Sequence, residues 1–415
     1  MRWPAPLRSL QNRSLRLFFA GQTVSLAGTW MQSVAQGWLI WRLTRSSEML
    51  GLVGFLGQVP VSLLGVVAGS LADRYPRRRV VLLTQANAIV QATLLAVVTL
   101  LGVVQPWHVM VLATMLGLTY AFEIPARQAL LADLAGADMP NAIALNSTIV
   151  NAARVVGPAL AGWAVATVGE GWCFAFNALS FAGTFYALWV MEAPPQPAVA
   201  PGGHRAHLAE GLRYAWSTPH VRALLLLLFV SSLLAMPYAT LLPVVASEVL
   251  QGGPTLFGWL QALAGAGALA GAVVLLLRRG LGGLLRRIGL GATCLAAGVL
   301  VLGLSRSAPL SLAALALSGL GFITQMAGTM TLLQGLCPNA LRGRVMGLFS
   351  TLFVGTTPFG ALLYGLIAHR VGVPATLAGG AALALAAGVA FHLKVRRLRD
   401  HIAALRPDLA IADRP

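Results

Sequence analysis

Two charged side chains, Glu123 and Arg154, interrupt long apolar segments of this 415-residue chain and are the residues best suited to chemistry. Charged groups inside a lipid bilayer are costly, so they are functional candidates by default. A carboxylate in apolar surroundings can exchange a proton near neutral pH. One hypothesis is that Glu123 takes and releases a coupling proton, with Arg154 as its counter-charge or as a contact for an anionic substrate. The sequence also allows a structural ion pair of Glu123 with Arg127 and Asp133.

Uncharged polar side chains follow one face of the first apolar segment at spacings of three and four residues. Residues at these spacings share a face of a helix, and amides or hydroxyls that faced lipid would be costly. We expect this face to line a water-filled substrate path, although hydrogen bonding between helices would also account for it. The face consists of Gln22, Ser25, Thr29, Gln32, Ser33 and Gln36. Weaker candidates for the same cavity are Tyr120, Tyr238, Gln261, Gln325 and Tyr364.

The elements that position these groups are apolar segments of membrane-spanning length. About twelve of them recur between residues 15 and 394, since a helix needs about twenty mainly apolar residues to cross the hydrocarbon layer. Hydrophobic residues make up 57% of the chain and charged residues 10%, which excludes an ordinary soluble domain. The expected fold is an all-α integral membrane protein, with about twelve transmembrane helices in two pseudo-symmetric six-helix bundles.

The formal net charge of +17 follows from membrane topology. Arginines cluster in alternate connections between the segments, and positively charged loops stay in the cytoplasm. This pattern predicts a multi-pass protein of a bacterial-type cytoplasmic (inner) membrane, with both termini and the central linker in the cytoplasm. Anionic lipid head groups account for the remaining basic excess, so no nucleic-acid partner is expected.

The residue types that enzymes and pumps require do not come together in this sequence. Three scattered cysteines and seven histidines show no metal-ligand spacing, and the acidic residues form no catalytic group with them. A phosphate-binding loop of the ATPase type is also missing from the sequence. We therefore expect no enzymatic activity, no metal, no cofactor and no ATP-driven pumping.

A proline-rich polar interruption divides the chain into two halves. Pro158 and Pro358 fall at matching places in the fifth apolar segment of each half, which indicates a duplicated six-helix unit. The expected parts are an N-terminal bundle over residues 1–191, a cytoplasmic linker over 192–221, a C-terminal bundle over 222–395 and a cytoplasmic tail over 396–415.

A glycine, an aspartate and a group of arginines follow the second apolar segment. They are Gly69, Asp73, Arg74, Arg77, Arg78 and Arg79. This stretch resembles the signature loop between the second and third helices of the major facilitator superfamily. The resemblance implies a cytoplasmic gate, at which this loop latches the two halves together with a partner near residues 343–346. We expect Arg127 at the same gate.

The fifth apolar segment carries Gly157, Pro158 and Gly162. These residues resemble the antiporter-type motif of drug exporters in the same superfamily. Proline removes one backbone hydrogen bond and glycine loosens packing, so we expect a functional helix bend here. An ordinary kink in a membrane helix would have the same sequence.

The resemblance extends over nearly the whole chain. Residues 17–43, 122–131 and 341–347 look like the exporter group that contains the enterobactin exporter and the macrolide-efflux permeases. It implies the major facilitator fold and a monomeric secondary active transporter that exports small amphiphilic or hydrophobic compounds, of drug or siderophore type, by proton antiport through alternating access. The implied partners are a small-molecule substrate, protons and the lipid bilayer.

Two other functions remain open from the sequence. The first is proton-coupled uptake of a small solute, because neither the fifth-segment motif nor the resemblance decides the direction of transport. The second belongs to another class and is a non-transporting membrane receptor, scaffold or lipid-modifying protein. Such a protein would have no need for a polar face on the first helix.

Overall fold

The computed structural model describes residues 5–192, 205–277 and 283–405, and the regular structure in these ranges is helical. The α-helices are α1 (Arg13–Thr44), α2 (Ser47–Arg74), α3 (Arg77–Leu100), α4 (Pro106–Ala135), α5 (Met139–Thr167), α6 (Glu170–Val190), α7 (Arg205–Ser217), α8 (Pro219–Leu234), α9 (Tyr238–Val244), α10 (Pro254–Leu276), α11 (Leu284–Leu304), α12 (Ala308–Leu336), α13 (Asn339–Val371) and α14 (Val373–Leu405). Short 3-10 turns cover Ala5–Gln11 and Gly136–Asp138, and a π-helical turn covers Val245–Val249.

Eleven helical segments of the described chain are long and apolar enough to cross a membrane. One of them, Pro219–Val249, combines α8, α9 and the π-helical turn. α1 is also long enough, at 32 residues, but it is not among these eleven segments, because polar residues recur along its apolar sequence. This helix accounts for the difference from the twelve segments that the sequence predicts. The chain is an all-helical, multi-pass membrane protein, as expected.

The first compact unit comprises residues 1–200 together with 246–262. In this unit α1 packs against α5 and α6, α3 packs against α4 and α6, and α2 packs against α4. Small residues permit the closest of these contacts. The backbone carbonyl of Gly57 on α2 stands where a side chain at Gly117 on α4 would project, so only glycine fits at that crossing.

The second compact unit comprises residues 201–245 and 263–415. Here α8 packs against α13 and α14, and α11 packs against α12 and α14. A glycine in a left-handed conformation stands at the matching junction of each unit, namely Gly169 (φ 89°) before α6 and Gly372 (φ 87°) before α14. Glycine adopts this conformation without the steric penalty of other residues. The two units therefore share one helix arrangement.

The connection after α2 is shorter than the sequence predicted. α2 continues through Arg74 and α3 begins at Arg77, so only Tyr75 and Pro76 lie between them. The expectation of a loop starting at Gly69 was wrong in its extent, because nothing interrupts the helical sequence before Pro76, where the ring disfavours a continuing helix. The motif arginines consequently stand on helix ends.

Candidate functional site

Glu123 lies on α4 with a side chain that is only 3% exposed. Its carboxylate accepts a hydrogen bond from Nε2 of Gln85 on α3 at 3.1 Å. It also pairs with Arg127, one turn further along α4, at 3.5 Å, and lies near Tyr120 of the same helix. Oε2 of Glu123 has no hydrogen-bond partner among the described residues. The ion pair of Glu123 is thus with Arg127, one of the two partners that the sequence left open, while Asp133 pairs with Arg77.

A small cavity adjoins Gln85 and Arg127, the two partners of Glu123. It has room for about one water molecule. Oε1 of Gln22 and Oε1 of Gln85 are buried, and neither has a hydrogen-bond partner in the described part of the chain. Buried polar atoms are nearly always hydrogen-bonded, so this group of oxygens is unusual among the described residues. The cavity is lined by Phe18, Gln22, Ser25, Val81, Gln85, Arg127, Thr184 and Leu188.

The polar face of α1 contacts other helices of the first unit. Nε2 of Gln22 donates to Oδ1 of Asn146 on α5 at 2.7 Å. Gln32 is 1% exposed and belongs to a buried amide cluster with Gln91 of α3 and Asn177 of α6. Gln32 donates to Gln91 at 3.0 Å and accepts from Asn177 at 2.7 Å. Gln32 therefore joins three helices by hydrogen bonds, which is the alternative that the sequence left open.

The remaining polar residues of α1 differ in exposure. Ser25 is buried, Thr29 and Gln36 are half-buried and Ser33 is exposed. Thr29 lies beside Tyr120, so it belongs to the surroundings of Glu123. The single polar face predicted for α1 is thus divided between helix packing and the neighbourhood of the buried carboxylate.

Arg154 on α5 lies over the indole ring of Trp30 on α1. The guanidinium carbon is 5.7 Å from the ring centroid, a distance at which the ring attracts a cation. Gly157 faces the same tryptophan, because a Cβ at this position would stand 2.6 Å from Cβ of Trp30. Arg154 and Gly157 therefore belong to the contact between α1 and α5.

Pro158 and Gly162 form a surface against which the start of α10 packs in the first unit. α5 continues as a helix through Pro158. A Cβ on Gly162 would lie 2.9 Å from Cα of Gly258, and a Cβ on Gly258 would lie 2.5 Å from the carbonyl oxygen of Pro158. Oγ1 of Thr255 donates to the carbonyl of Gly162 at 3.4 Å. Both glycines are required for so close a backbone approach.

The C-terminus of α1 and the N-terminus of α6 meet at one end of the first unit, which we call the Glu170 end. Arg42 donates to both carboxylate oxygens of Glu170, at 2.7 and 3.3 Å. Nε1 of Trp41 donates to Oγ of Ser247 at 2.7 Å. Glu170 is 7% exposed, and it and Glu123 are the buried carboxylates among the side chains that the structure describes. The opposite end, where α4 ends, is the Glu123 end.

The arginines predicted at a cytoplasmic gate make contacts within the first unit. Arg77 at the start of α3 pairs with Asp133 near the end of α4, at 2.5 Å. Arg78 donates to the carbonyl oxygen of Leu188 at 2.8 Å and to that of Trp189. A cation near the C-terminus of a helix is stabilised by the carbonyl oxygens exposed there. The two arginines thus connect the ends of α3, α4 and α6.

The remaining residues predicted at the gate lie outside the part of the structure that is described in atomic detail. They are Gly69, Asp73 and Arg74. At the position expected for the latch partner, Arg344 forms an ion pair with Glu210 of α7.

The cavity candidates of later helices are mostly buried. Nε2 of Gln325 on α12 donates to Oγ of Ser231 on α8 at 2.8 Å. Tyr238 is 9% exposed, and the buried hydroxyl of Tyr364 donates to a backbone carbonyl of α8. Gln261 on α10 is half-buried in the first unit.

A second small cavity adjoins Gln325 in the second unit. The rings of Phe322 and Phe353 stack beside it with centroids 5.9 Å apart. The hydroxyl of Ser232 is buried and has no hydrogen-bond partner in the described chain. The lining consists of Leu228, Ser231, Ser232, Met236, Phe322, Gln325, Met326 and Phe353.

The sequence profile of the transmembrane secretion effector family matches residues 4–409. The chain belongs to this family of the major facilitator superfamily. The chain is 28% identical to the multidrug efflux pump Tap of Mycolicibacterium fortuitum, over 87% of this chain and 90% of the pump. It is 29% identical to the enterobactin exporter EntS of Escherichia coli O9:H4 (strain HS), over 96% of each chain.

Solved structures agree with this family at the level of the fold. One of them is a bacterial homologue of the iron transporter ferroportin in an inward-facing state. Its TM-score to this chain is 0.69 at 18% sequence identity, and the match covers 93% of this chain and 98% of the homologue. The expected resemblance to a major facilitator exporter group is confirmed by the family and by the two named exporters.

Three buried amide side chains were not predicted from the sequence. Gln85 contacts Glu123, while Gln91 and Asn177 hold Gln32. The pattern that predicted the polar face of α1 could have found them, because polar residues also recur along α3 and α6. On α3 they are Thr84, Gln85 and Gln91, and on α6 they are Asn177, Ser180 and Thr184, all of them buried.

Proposed function

We propose that this protein exports small amphiphilic or hydrophobic compounds of drug or siderophore type in exchange for protons. The names of its relatives, a multidrug efflux pump and an enterobactin exporter, support the direction and the class of compound. Transport proceeds by alternating access, in which the substrate site opens to one side of the membrane at a time. The observation that carries the proton part is the incompletely paired carboxylate of Glu123.

Glu123 is the proposed coupling residue. Ionisable residues at membrane depth are costly and mark proton or substrate pathways. Its Oε2 is available for a proton, since the described residues give it no hydrogen-bond partner. Gln85 and Arg127 each contact the carboxylate and the adjoining cavity, so water in that cavity would link the carboxylate to its surroundings. Arg154, stacked over Trp30, is the proposed contact for an anionic group of the substrate.

Polar groups that would contact the substrate are proposed within each unit by itself. In the first unit Gln22, Ser25, Thr29, Gln36, Tyr120 and Gln261 supply polar groups, and in the second unit Tyr238 and Gln325 do so. Gln32 has a packing role in this proposal, because its amide nitrogen and its amide oxygen are each hydrogen-bonded within the buried cluster. The aromatic and methionine residues beside Gln325 would contact apolar parts of a substrate.

The proposed setting is the bacterial inner membrane, with both termini in the cytoplasm and the protein acting as a monomer. The arginine distribution of the sequence supports this orientation. In this orientation the Glu123 end is cytoplasmic. Arg77 and Arg78 then brace the cytoplasmic ends of α3, α4 and α6.

Transport into vesicles with an acidic lumen tests this function. Purified protein in lipid vesicles is offered lipophilic antibiotics and siderophores, with protein-free vesicles as the control for passive trapping of basic compounds. Antiport moves a substrate into the lumen as protons leave, whereas symport moves it outward. We expect gradient-dependent accumulation that a protonophore abolishes. Accumulation that ignores the gradient, or a reversed direction, would contradict proton-coupled export.

A further inference from the structure

The short helix α7 lies next to the membrane because a membrane-spanning segment follows it almost directly in the chain. α7 ends at Ser217, and the membrane-spanning segment that includes α8 begins at Pro219. Only Thr218 separates them, so α7 has no linker that would carry it away from the bilayer surface. A helix in this place contacts lipid head groups unless its exposed face is covered by protein.

One face of α7 is fixed against α13 in the second unit. Ala215 is 5% exposed and packs in the apolar cluster that contains Val345. A Cβ on Gly211 would lie 2.9 Å from Cβ of Arg344, and Arg344 forms an ion pair with Glu210. Because these contacts fix the rotation of α7 about its axis, they also determine which side chains face outward.

The outward face combines exposed apolar side chains with cationic ones. Leu212 is 57% exposed and Trp216 is 64% exposed, and they stand one turn apart on the same side of the helix. Arg213 is exposed beside them. Arg222 of α8 lies over the Trp216 ring, 5.8 Å from its centroid, and donates to the Trp216 carbonyl at 3.3 Å.

We propose that these four residues, Leu212, Arg213, Trp216 and Arg222, form a binding surface for anionic phospholipid head groups, which we call the α7 lipid face. Tryptophan and leucine enter the boundary between head groups and acyl chains, while arginines pair with lipid phosphate. Glu210 does not neutralise this surface, because it is engaged by Arg344. An acidic protein would satisfy the arginines, but it would leave no reason for the apolar pair to adjoin a membrane span.

The selectivity comes from the charge of the lipid. Each arginine near an anionic membrane surface strengthens the binding of the protein segment to that surface about fivefold at physiological salt. Loss of both arginines should therefore weaken the preference for anionic over zwitterionic lipid by about 25-fold. The apolar pair would remain, so association with zwitterionic lipid should change little.

A depth measurement at position 212 tests the proposal. Leu212→Cys in the full-length protein is labelled with a nitroxide, itself an apolar group, after Cys173, Cys294 and Cys337 are replaced by alanine. The protein is placed in nanodiscs of phosphatidylglycerol or of phosphatidylcholine. Depth is read from the relative accessibility of the label to oxygen and to a water-soluble nickel complex. Arg213→Gln/Arg222→Gln is compared with Arg396→Gln/Arg397→Gln, which removes the same charge from exposed positions of α14.

We expect the label to lie deeper in phosphatidylglycerol than in phosphatidylcholine, and this difference to vanish in the α7 double variant while the α14 variant keeps it. Equal depth in the two lipids, whether shallow or deep, would overturn the anionic preference. Equal loss in both double variants would show a general charge effect and would also overturn the site. Native mass spectrometry of lipid retained by the unlabelled variants gives a second readout that does not depend on the cysteine replacements.

Discussion

The two ends of the first unit hold their buried carboxylates in different ways. At the Glu170 end, Arg42 donates to both carboxylate oxygens, at 2.7 and 3.3 Å. At the Glu123 end, the distance to Arg127 is 3.5 Å, and Oε2 has no partner among the described residues. Charge-assisted hydrogen bonds on both oxygens fix a carboxylate firmly, whereas at Glu123 the contacts from Gln85 and Arg127 both go to Oε1 and leave Oε2 able to take a new partner. Incomplete pairing, more than burial, therefore distinguishes a candidate coupling acid from a structural one.

The largest effect on transport is expected for Glu123→Gln, which tests whether Glu123 is the coupling acid. The amide keeps the size and hydrogen-bonding ability of the side chain but cannot release a proton at physiological pH. We expect gradient-driven transport to fall to the level of protein-free vesicles. Exchange of labelled for unlabelled substrate without a gradient should persist and would show that the variant is folded. Gradient-driven transport at the normal rate would remove Glu123 from the coupling role.

A second variant, Gly258→Ala, tests the tight packing near the Glu170 end. The added Cβ would stand 2.5 Å from the carbonyl oxygen of Pro158, and overpacking of this kind destabilises by about 1–3 kcal/mol. We expect lower thermal stability and strongly reduced transport. The matched control is Gly183→Ala on α6, where a Cβ meets nothing within 4 Å and should be neutral or slightly stabilising. Equal behaviour of the two variants would show that the crossing tolerates a side chain.

Gln85→Leu removes the amide donor from Glu123 while leaving the carboxylate in place. Hydrogen bonds to charged groups contribute about 1.5–3 kcal/mol, so gradient-driven transport should fall about tenfold or more. Gln91→Leu on the same helix is the control. It disrupts the amide cluster with Gln32 and should lower the melting temperature without changing the dependence of transport on the gradient. If both variants reduced gradient-driven transport to the same extent, Gln85 would have no special role beside Glu123.

The smallest effect on transport is expected for Glu170→Gln. This change breaks one tight ion pair, and Arg42 is half exposed, so the cost in stability should be about 1–3 kcal/mol. Transport under a gradient should stay within about twofold of the unaltered protein. The comparison of the carboxylates would fail if this variant lost coupling as completely as Glu123→Gln.

The fold could be read from the sequence because membrane helices leave a strong one-dimensional signal. The apolar segments, the central interruption and the matched Pro158 and Pro358 indicated two similar helical units, and both units show the same packing order. The polar face of α1 was also correctly seen to turn away from lipid at Gln22 and Gln32. These features depend on residues close together in the chain.

The partners across helices could not be read in the same way. The sequence left both Arg154 and Arg127 open as partners of Glu123, and its contacts are Arg127 and the unforeseen Gln85. Which helices lie side by side decides such pairs, and one sequence carries little information on that. The same limit explains why Gln32 was expected at a cavity, since its amide partners on α3 and α6 lie 59 and 145 residues away.

Proton release on substrate binding tests the central claim most directly. Purified protein in detergent and weakly buffered solution is mixed with a transported compound, and a pH-sensitive dye records the protons released. We predict release from the unaltered protein and from Glu170→Gln, and none from Glu123→Gln, although the compound still binds. Undiminished release from Glu123→Gln would show that another group carries the coupling proton.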